Sequence, residues 1–367
     1  MFSLLHVLLD FNEAKVIYEK MKYSHIYAAI LVLLSPSCAF AQDSAPEKTF
    51  EEKIPESVKK GRDQYITLTL ENDSLASGRD KNYTHGTRLT YFDSDIMPEK
   101  LGKFAEEIVP NFDVNDTTIA YFSLGQNLYT PEDIELRTPN KDDRPYAGFL
   151  YGSLGFDTVR DNHIDGVELT LGVVGPAALG RQTQESVHDI LDAKDPAGWD
   201  YQLKDEPALM VAGQRYWPDF QTFTYDNLFL RLSPHVNASL GNVYTYAGTG
   251  ATLQLMPKQH KWQAPPLRVR PAIPGNGYFK VPQNHFSWSL FTGFESRYMI
   301  RNIFLDGNSF KNSPSVDKKP LVHDANAGIS LTFGKTQLAY TLNWRSKEFD
   351  GQDEESLFGA LSIARRF

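Results

Sequence analysis

The chain has 367 residues, 41% of them hydrophobic and 13% aromatic, with a formal net charge of −9 and a single cysteine. No basic tract offers itself to nucleic acid, and no stretch after the first forty residues approaches the roughly 18 to 20 apolar residues of a membrane-crossing helix. Hydropathy alone therefore reads as a soluble chain, but a transmembrane barrel escapes such averages because its lipid-facing and lumen-facing residues alternate, so the period has to decide.

Residues 1–41 read as a leader. Met21-Lys22 opens a charged start, Ile26 to Leu34 is an apolar run, and Ala39-Phe40-Ala41 is an A-x-A cleavage site that puts the mature start near Gln42. Cys38 lies inside this leader, so the mature chain is expected to use neither a disulfide nor a thiol nucleophile. Lys15, Lys20 and Lys22 balance Asp10, Glu13 and Glu19, which leaves the negative charge to the mature part. Residues 42–62 are charged and aperiodic, a flexible lead-in, and residues 63–367 read as one domain without a repeat.

Strand signals begin at Gln64 to Leu70, where Ile66, Leu68 and Leu70 alternate with Tyr65, Thr67 and Thr69. Further strands are predicted near 83–93, 117–127, 145–158, 163–175, 207–217, 226–239, 242–256, 285–306, 323–333, 336–346 and 355–367. Such strands suit a soluble sandwich or a membrane barrel. The even count of twelve, the aromatics near strand ends and the closing Leu361 to Phe367 strand favour an all-β fold, a twelve-stranded antiparallel transmembrane β-barrel. With both termini periplasmic, residues 74–82, 128–143, 176–206, 307–322 and 347–354 become extracellular loops. Residues 257–284, rich in Pro and Lys, would then be an unusually long periplasmic turn.

The loop within Gly172 to Pro207 is unlike the others, because it carries a helical period. Gln184, His188 and Asp192 fall on one polar stripe, and Val187 and Leu191 form an apolar flank. A surface helix with an idle histidine reads the same way. On the first strand, if Leu68 and Leu70 face lipid then Asn72 also faces outward, where an amide needs a partner. On the second strand the same parity turns Thr84 inward unless a bulge near Gly86 shifts the register. His85, His163, His235, His260, His285 and His323 have no companion pattern. Zinc spacing, a G-x-S-x-G elbow and a phosphate-cradling glycine loop are all missing from the sequence.

Three motifs in order carry a resemblance. Glu71-Asn72-Asp73 with Asp80-Lys81-Asn82-Tyr83-Thr84-His85-Gly86, Arg144-Pro145-Tyr146-Ala147-Gly148, and the loop running from Gly175-Pro176 through His188 to Gly198-Trp199 resemble the lipid A 3′-O-deacylase family of outer-membrane barrels over most of residues 64–367. The resemblance implies a calcium-dependent esterase that removes acyl chains from lipid A in the outer leaflet, with a short helical extracellular loop at its site. It implies His188 as the base that activates water, Asn72 and Thr84 as groups that orient the ester or the oxyanion, and Asp73 as a Ca2+ ligand. Asp192 or Asp195 would orient the imidazole or help hold the metal, and Lys141 and Arg144 would bind substrate, Lys141 through a lipid A phosphate. Lipopolysaccharide, the outer membrane and the barrel-assembly machinery are the implied partners. Two departures stand out: His85 occupies a place where an asparagine is expected, and the acidic residue after the histidine has no unambiguous counterpart. An outer-membrane phospholipase, or an inactive barrel serving as channel or scaffold, are the competing readings.

Overall fold

The computed structural model describes residues 64–76, 82–94, 99–108, 112–160, 162–191, 194–258 and 284–367, together with Val269, Tyr278, Phe279, Val281 and Pro282. The leader 1–41 and the lead-in 42–62 lie outside the described residues.

The chain forms β1 (Gln64–Asn72), β2 (Asn82–Asp93), β3 (Ile119–Thr130), β4 (Ala147–Val159), β5 (Ile164–Val174), β6 (Glu206–Tyr216), β7 (Gln221–Tyr225), β8 (Leu228–Gly241), β9 (Tyr244–Pro257), β10 (Phe286–Asn302), β11 (Leu321–Phe333), β12 (Thr336–Arg345) and β13 (Ser356–Arg366). All neighbours are antiparallel, and the sheet closes because β1 pairs with β13 and β6 pairs with β8. β7 also pairs with β8, below β6, so β6 and β7 are one interrupted stave and the barrel has twelve. The interruption has a local cause. Pro234 of β8 offers no N–H to a neighbour, and the chain opposite it bends between Tyr216 and Gln221, with Trp217 N donating to Pro234 O at 3.0 Å. The short β7 was not foreseen from sequence.

The predicted alternation holds along the wall. In β1, Tyr65, Thr67, Thr69 and Glu71 turn inward and are buried, whereas Ile66, Leu68, Leu70 and Asn72 turn outward. In β12, Ala339, Thr341 and Asn343 are inside and Leu338, Tyr340 and Leu342 outside. Exposed aromatics gather near the strand ends, with Phe286 and Phe333 in ring contact at one end and Trp344 and Tyr298 towards the other, as a membrane girdle requires.

Paired charges and rings fill the lumen. Arg88 bonds Glu168 at 2.7 Å, Asp324 lies between Arg297 and Arg345 at 2.8 Å from each, and Arg144 meets Glu348 at 3.0 Å. Above them the short helix α3 (Ile303–Asp306) folds inward, stacking Phe304 on Tyr129 with centroids 4.0 Å apart. The described residues of the long Pro- and Lys-rich stretch also enter the lumen. Val269 N donates to Glu71 Oε1 at 3.1 Å, and Val269 O accepts from Tyr151 Oη–H at 2.6 Å. Phe279 O accepts from Arg366 Nε at 2.6 Å, with the guanidinium over the Tyr278 and Phe279 rings. A loop's backbone groups need partners, and the polar lumen supplies them.

Two helices lie outside the wall. α1 (Glu99–Ile108), also unforeseen, follows β2 and packs Ala105 in a cluster with Phe112, Ala120, Phe156 and Val167. α2 (Gly180–Leu191) is the helix expected in the long loop after β5.

Candidate active site

Register places four residues on one row across the upper outer wall: Asn72 opposite His85, His85 opposite Leu128, and Leu128 opposite Gly148. Three strand spacings put Asn72 about 14 Å from Gly148 along this row. Asn72 is fixed at both ends of its amide. Its Oδ1 caps the following turn by accepting from Ser74 N at 2.7 Å and from the Ser74 hydroxyl, and its Nδ2 donates to Thr84 O at 2.7 Å. These partners satisfy the outward amide that parity demands.

Thr84 is the extra residue of a bulge between Tyr83 and His85, so the register does shift near Gly86. Its hydroxyl meets that of Thr130 on β3 at 2.5 Å. Thr130 shares the parity of Gln126 and Leu128, so the bulge ties Thr84 to the outward row of β3. Asp73 heads the turn Asp73–Leu75 and is buried. That turn folds over β13: Tyr340 Oη donates to Leu75 O at 3.0 Å, and a Cβ on Gly359 would lie 2.7 Å from the Leu75 Cβ and 3.1 Å from its backbone. Gly359→Val should therefore push away the turn that carries Asn72 and Asp73. Activity is expected to fall about tenfold or more, because small displacements at a reacting centre are costly. Kinetic assay of the folded variant checks this.

α2 is seated on the same row. Gly148 and Gly180 let the backbones approach, a Cβ on Gly148 falling 3.2 Å from Gly180 and one on Gly180 falling 3.0 Å from Leu128. Gln126 Nε2 donates to Ala178 O at 2.7 Å just before the helix. Trp199, fully buried beside Tyr146, donates from Nε1 to Gln184 Oε1 at 2.8 Å. Gln184 and His188, one turn apart, are both buried, while Ile190 on the other face is 82% exposed. The polar stripe is thus the inner face of the helix. A polar stripe pressed against a barrel wall is not what an idle surface helix presents.

His188 Nδ1 lies 2.5 Å from Lys194 O. A carbonyl only accepts, so Nδ1 carries the proton and Nε2 is the basic nitrogen of the neutral ring. A main-chain carbonyl thus holds Nδ1 of the ring. Lys194 is held in turn by Glu135 of the β3–β4 loop, whose carboxylate keeps the exposed ammonium above the usual lysine range, first through their hydrogen bond.

The other sequence candidates scatter. Asp192 lies outside the described residues. Asp195 and Lys141 are exposed on loops, and neither makes a hydrogen bond or ion pair among the described residues. Arg144 is turned away from the surface, 1% exposed, bonded to Glu348 with its guanidinium over the Tyr129 and Phe349 rings. That position serves the lumen network and removes it from the substrate-binding set. Among the described residues no group of three or more His, Cys, Asp or Glu forms a metal cluster. Gln126, Gln184 and Trp199, which sequence reasoning left unassigned, hold the helix in place.

A family model described as outer membrane protein LpxR matches residues 26–367. The chain belongs to the LpxR outer-membrane protein family. Its twelve-stranded barrel is accordingly a multi-pass barrel of the bacterial outer membrane, with the row and α2 at the extracellular rim. The solved structure of LpxR from Salmonella typhimurium is similar in fold, with a TM-score of 0.67 at 20% identity over 83% of this chain and 100% of that one. The β-domain of the Bordetella autotransporter BrkA (TM-score 0.37, 9% identity, 83% of this chain and 99% of that one) and an outer membrane channel from Pseudomonas putida F1 (TM-score 0.36, 12% identity, 89% and 100%) are more distant. No curated protein matches the sequence.

Proposed function

We propose that this LpxR-family barrel is an esterase that removes the 3′-linked acyloxyacyl group from lipid A, using water activated by His188. The observation that carries the reading is a buried imidazole on a helix pressed to the outer wall, its tautomer set by Lys194 O, at the rim where Asn72 faces outward. An ester at the membrane surface reaches this place laterally from the outer leaflet. Among the described residues, ion pairs and α3 crowd the lumen, which argues against a channel.

His188 Nε2 takes a proton from water as the water oxygen attacks the acyl carbon; the ester C–O bond then breaks, the departing sugar oxygen takes the proton back from His188, and the acyl group leaves as the free acid. The developing oxyanion needs donors or a cation. The Asn72 amide and the Thr84 hydroxyl are polar groups fixed in position at the same rim. A calcium ion belongs to the proposal through Asp73. The donor set fits a hard cation in kind: one carboxylate beside amide, hydroxyl and carbonyl oxygens, with water and substrate left to complete six to eight oxygens. When bound, calcium would supply positive charge to the acyl oxygen. Lys141, exposed and uncommitted, is the cation proposed for a lipid A phosphate.

Mass spectrometry of lipid A and phospholipids from cells with and without the chain tests this reading. Loss of one acyl or acyloxyacyl unit from lipid A alone is the expected result; loss from phospholipid would make it a phospholipase, and loss from neither would end the esterase reading. With purified protein, a chelator is expected to abolish turnover and added calcium to restore it. Full activity in the chelator would remove calcium from the proposal.

A further inference from the structure

On the side of Asn72 away from α2, the outer wall of β1, β13, β12 and β11 carries a groove of about 340 Å³. Its upper row is Leu70, Leu361, Tyr340 and Ile329, in register across the four strands, and the row beneath runs from Leu68 to Leu331. Three strand spacings make it about 14 Å wide, and its volume falls in the range of about 300 to 1,000 Å³ typical of ligand sites. The lining is almost wholly apolar, and the Tyr340 hydroxyl is already committed to Leu75 O.

Two facts identify the occupant. The groove faces outward on a membrane-spanning wall, where the surrounding medium is fatty acyl chain. Its upper end lies beneath the Asp73–Leu75 turn, which rests on Gly359 and Tyr340, so the groove ends at the turn that carries the candidate-site residue Asp73. Leu70 and Asn72 share one face of β1, two residues and about 7 Å apart.

We infer that this groove is an acyl-chain subsite, holding a fatty chain of the same lipid A molecule whose ester is presented at Asn72 and Asp73. This rests on the deacylase reading for the identity of the lipid, and it adds a second place of attachment on the opposite side of Asn72 from α2. A chain held here fixes the rotation of the substrate about the membrane normal and so selects which ester meets His188.

The test is photocrosslinking in vesicles of phosphatidylethanolamine and lipid A, with a benzophenone side chain placed at Leu361 or, as an outward control beyond the groove, at Phe294. The expected result is a lipid A adduct several-fold more abundant at Leu361 than at Phe294. Equal lipid A adducts at the two positions, or a predominance of phospholipid adducts at Leu361, would overturn the inference. Turnover by the unmodified protein in the same vesicles is scored separately. Enriched adducts without turnover would sink the deacylase reading and keep the lipid subsite, and turnover without enrichment would do the reverse. Filling the groove with Leu361→Trp is expected to raise KM about tenfold through lost burial of a few methylenes, with kcat little changed. The adduct ratio stands even where that variant fails to fold.

Discussion

His188→Ala is expected to lower the rate of lipid A deacylation about 10²- to 10⁴-fold, the usual contribution of a positioned general base. The barrel should assemble as before, because the contacts that seat α2 belong to other residues: Gln126 to Ala178 O, Trp199 to Gln184, and Gly148 against Gly180. The bond from Nδ1 to Lys194 O is lost with the imidazole. Retention of the heat-dependent gel shift typical of folded barrels separates a chemical defect from a folding one. Asp195→Ala provides the contrast. If a carboxylate oriented the imidazole it would fall nearly as far, whereas orientation by a main-chain carbonyl predicts a change of only a few fold. A fully active His188→Ala protein would mean that the base lies elsewhere.

The barrel wall was legible in the sequence because it separates two environments, so each strand writes a period of two with its own polarity on each face. Leu338, Tyr340 and Leu342 outside and Ala339, Thr341 and Asn343 inside are placed as that period requires. The outward position of Asn72 followed from the same arithmetic, and the helix around His188 followed from a change of period. What the period could not carry was anything set by a partner distant in the chain. The bend before β7 depends on Pro234 across the sheet, and the exact place of the bulge near Gly86 is set where Thr84 meets Thr130. The return of Val269 and Phe279 into the lumen depends on Glu71, Tyr151 and Arg366, which are far away in sequence. Arg144 was misplaced for a related reason. Its neighbours in sequence are polar loop residues, while the carboxylate it meets, Glu348, is 204 positions away.

Glu168→Ala is expected to destabilise the barrel by about 3–5 kcal/mol, the cost of leaving one member of a buried ion pair unpaired. Arg88 and Glu168 sit on β2 and β5, which are not neighbours, and their 2.7 Å contact crosses the lumen past β3 and β4. Both are buried, and Tyr121 Oη and Thr170 Oγ1 converge on the same carboxylate at 3.1 and 3.2 Å. With the carboxylate gone, the guanidinium keeps Ser123 and Thr90 as hydroxyl partners, which offer hydrogen bonds without charge. The urea midpoint in micelles should fall by about 1–2 M. Replacing both members, Arg88→Met with Glu168→Leu, should recover most of the loss, because apolar side chains carry no charge to leave stranded. A single variant as stable as the parent would show that water reaches the pair in the lumen. The brace also bears on the site. β2 carries Thr84, β3 and β4 carry the row on which α2 rests, and a chord from β2 to β5 fixes the curvature of the wall between them. Glu168→Ala should therefore lower activity at urea concentrations below its unfolding midpoint, while the doubly apolar variant, with the wall supported again, should not.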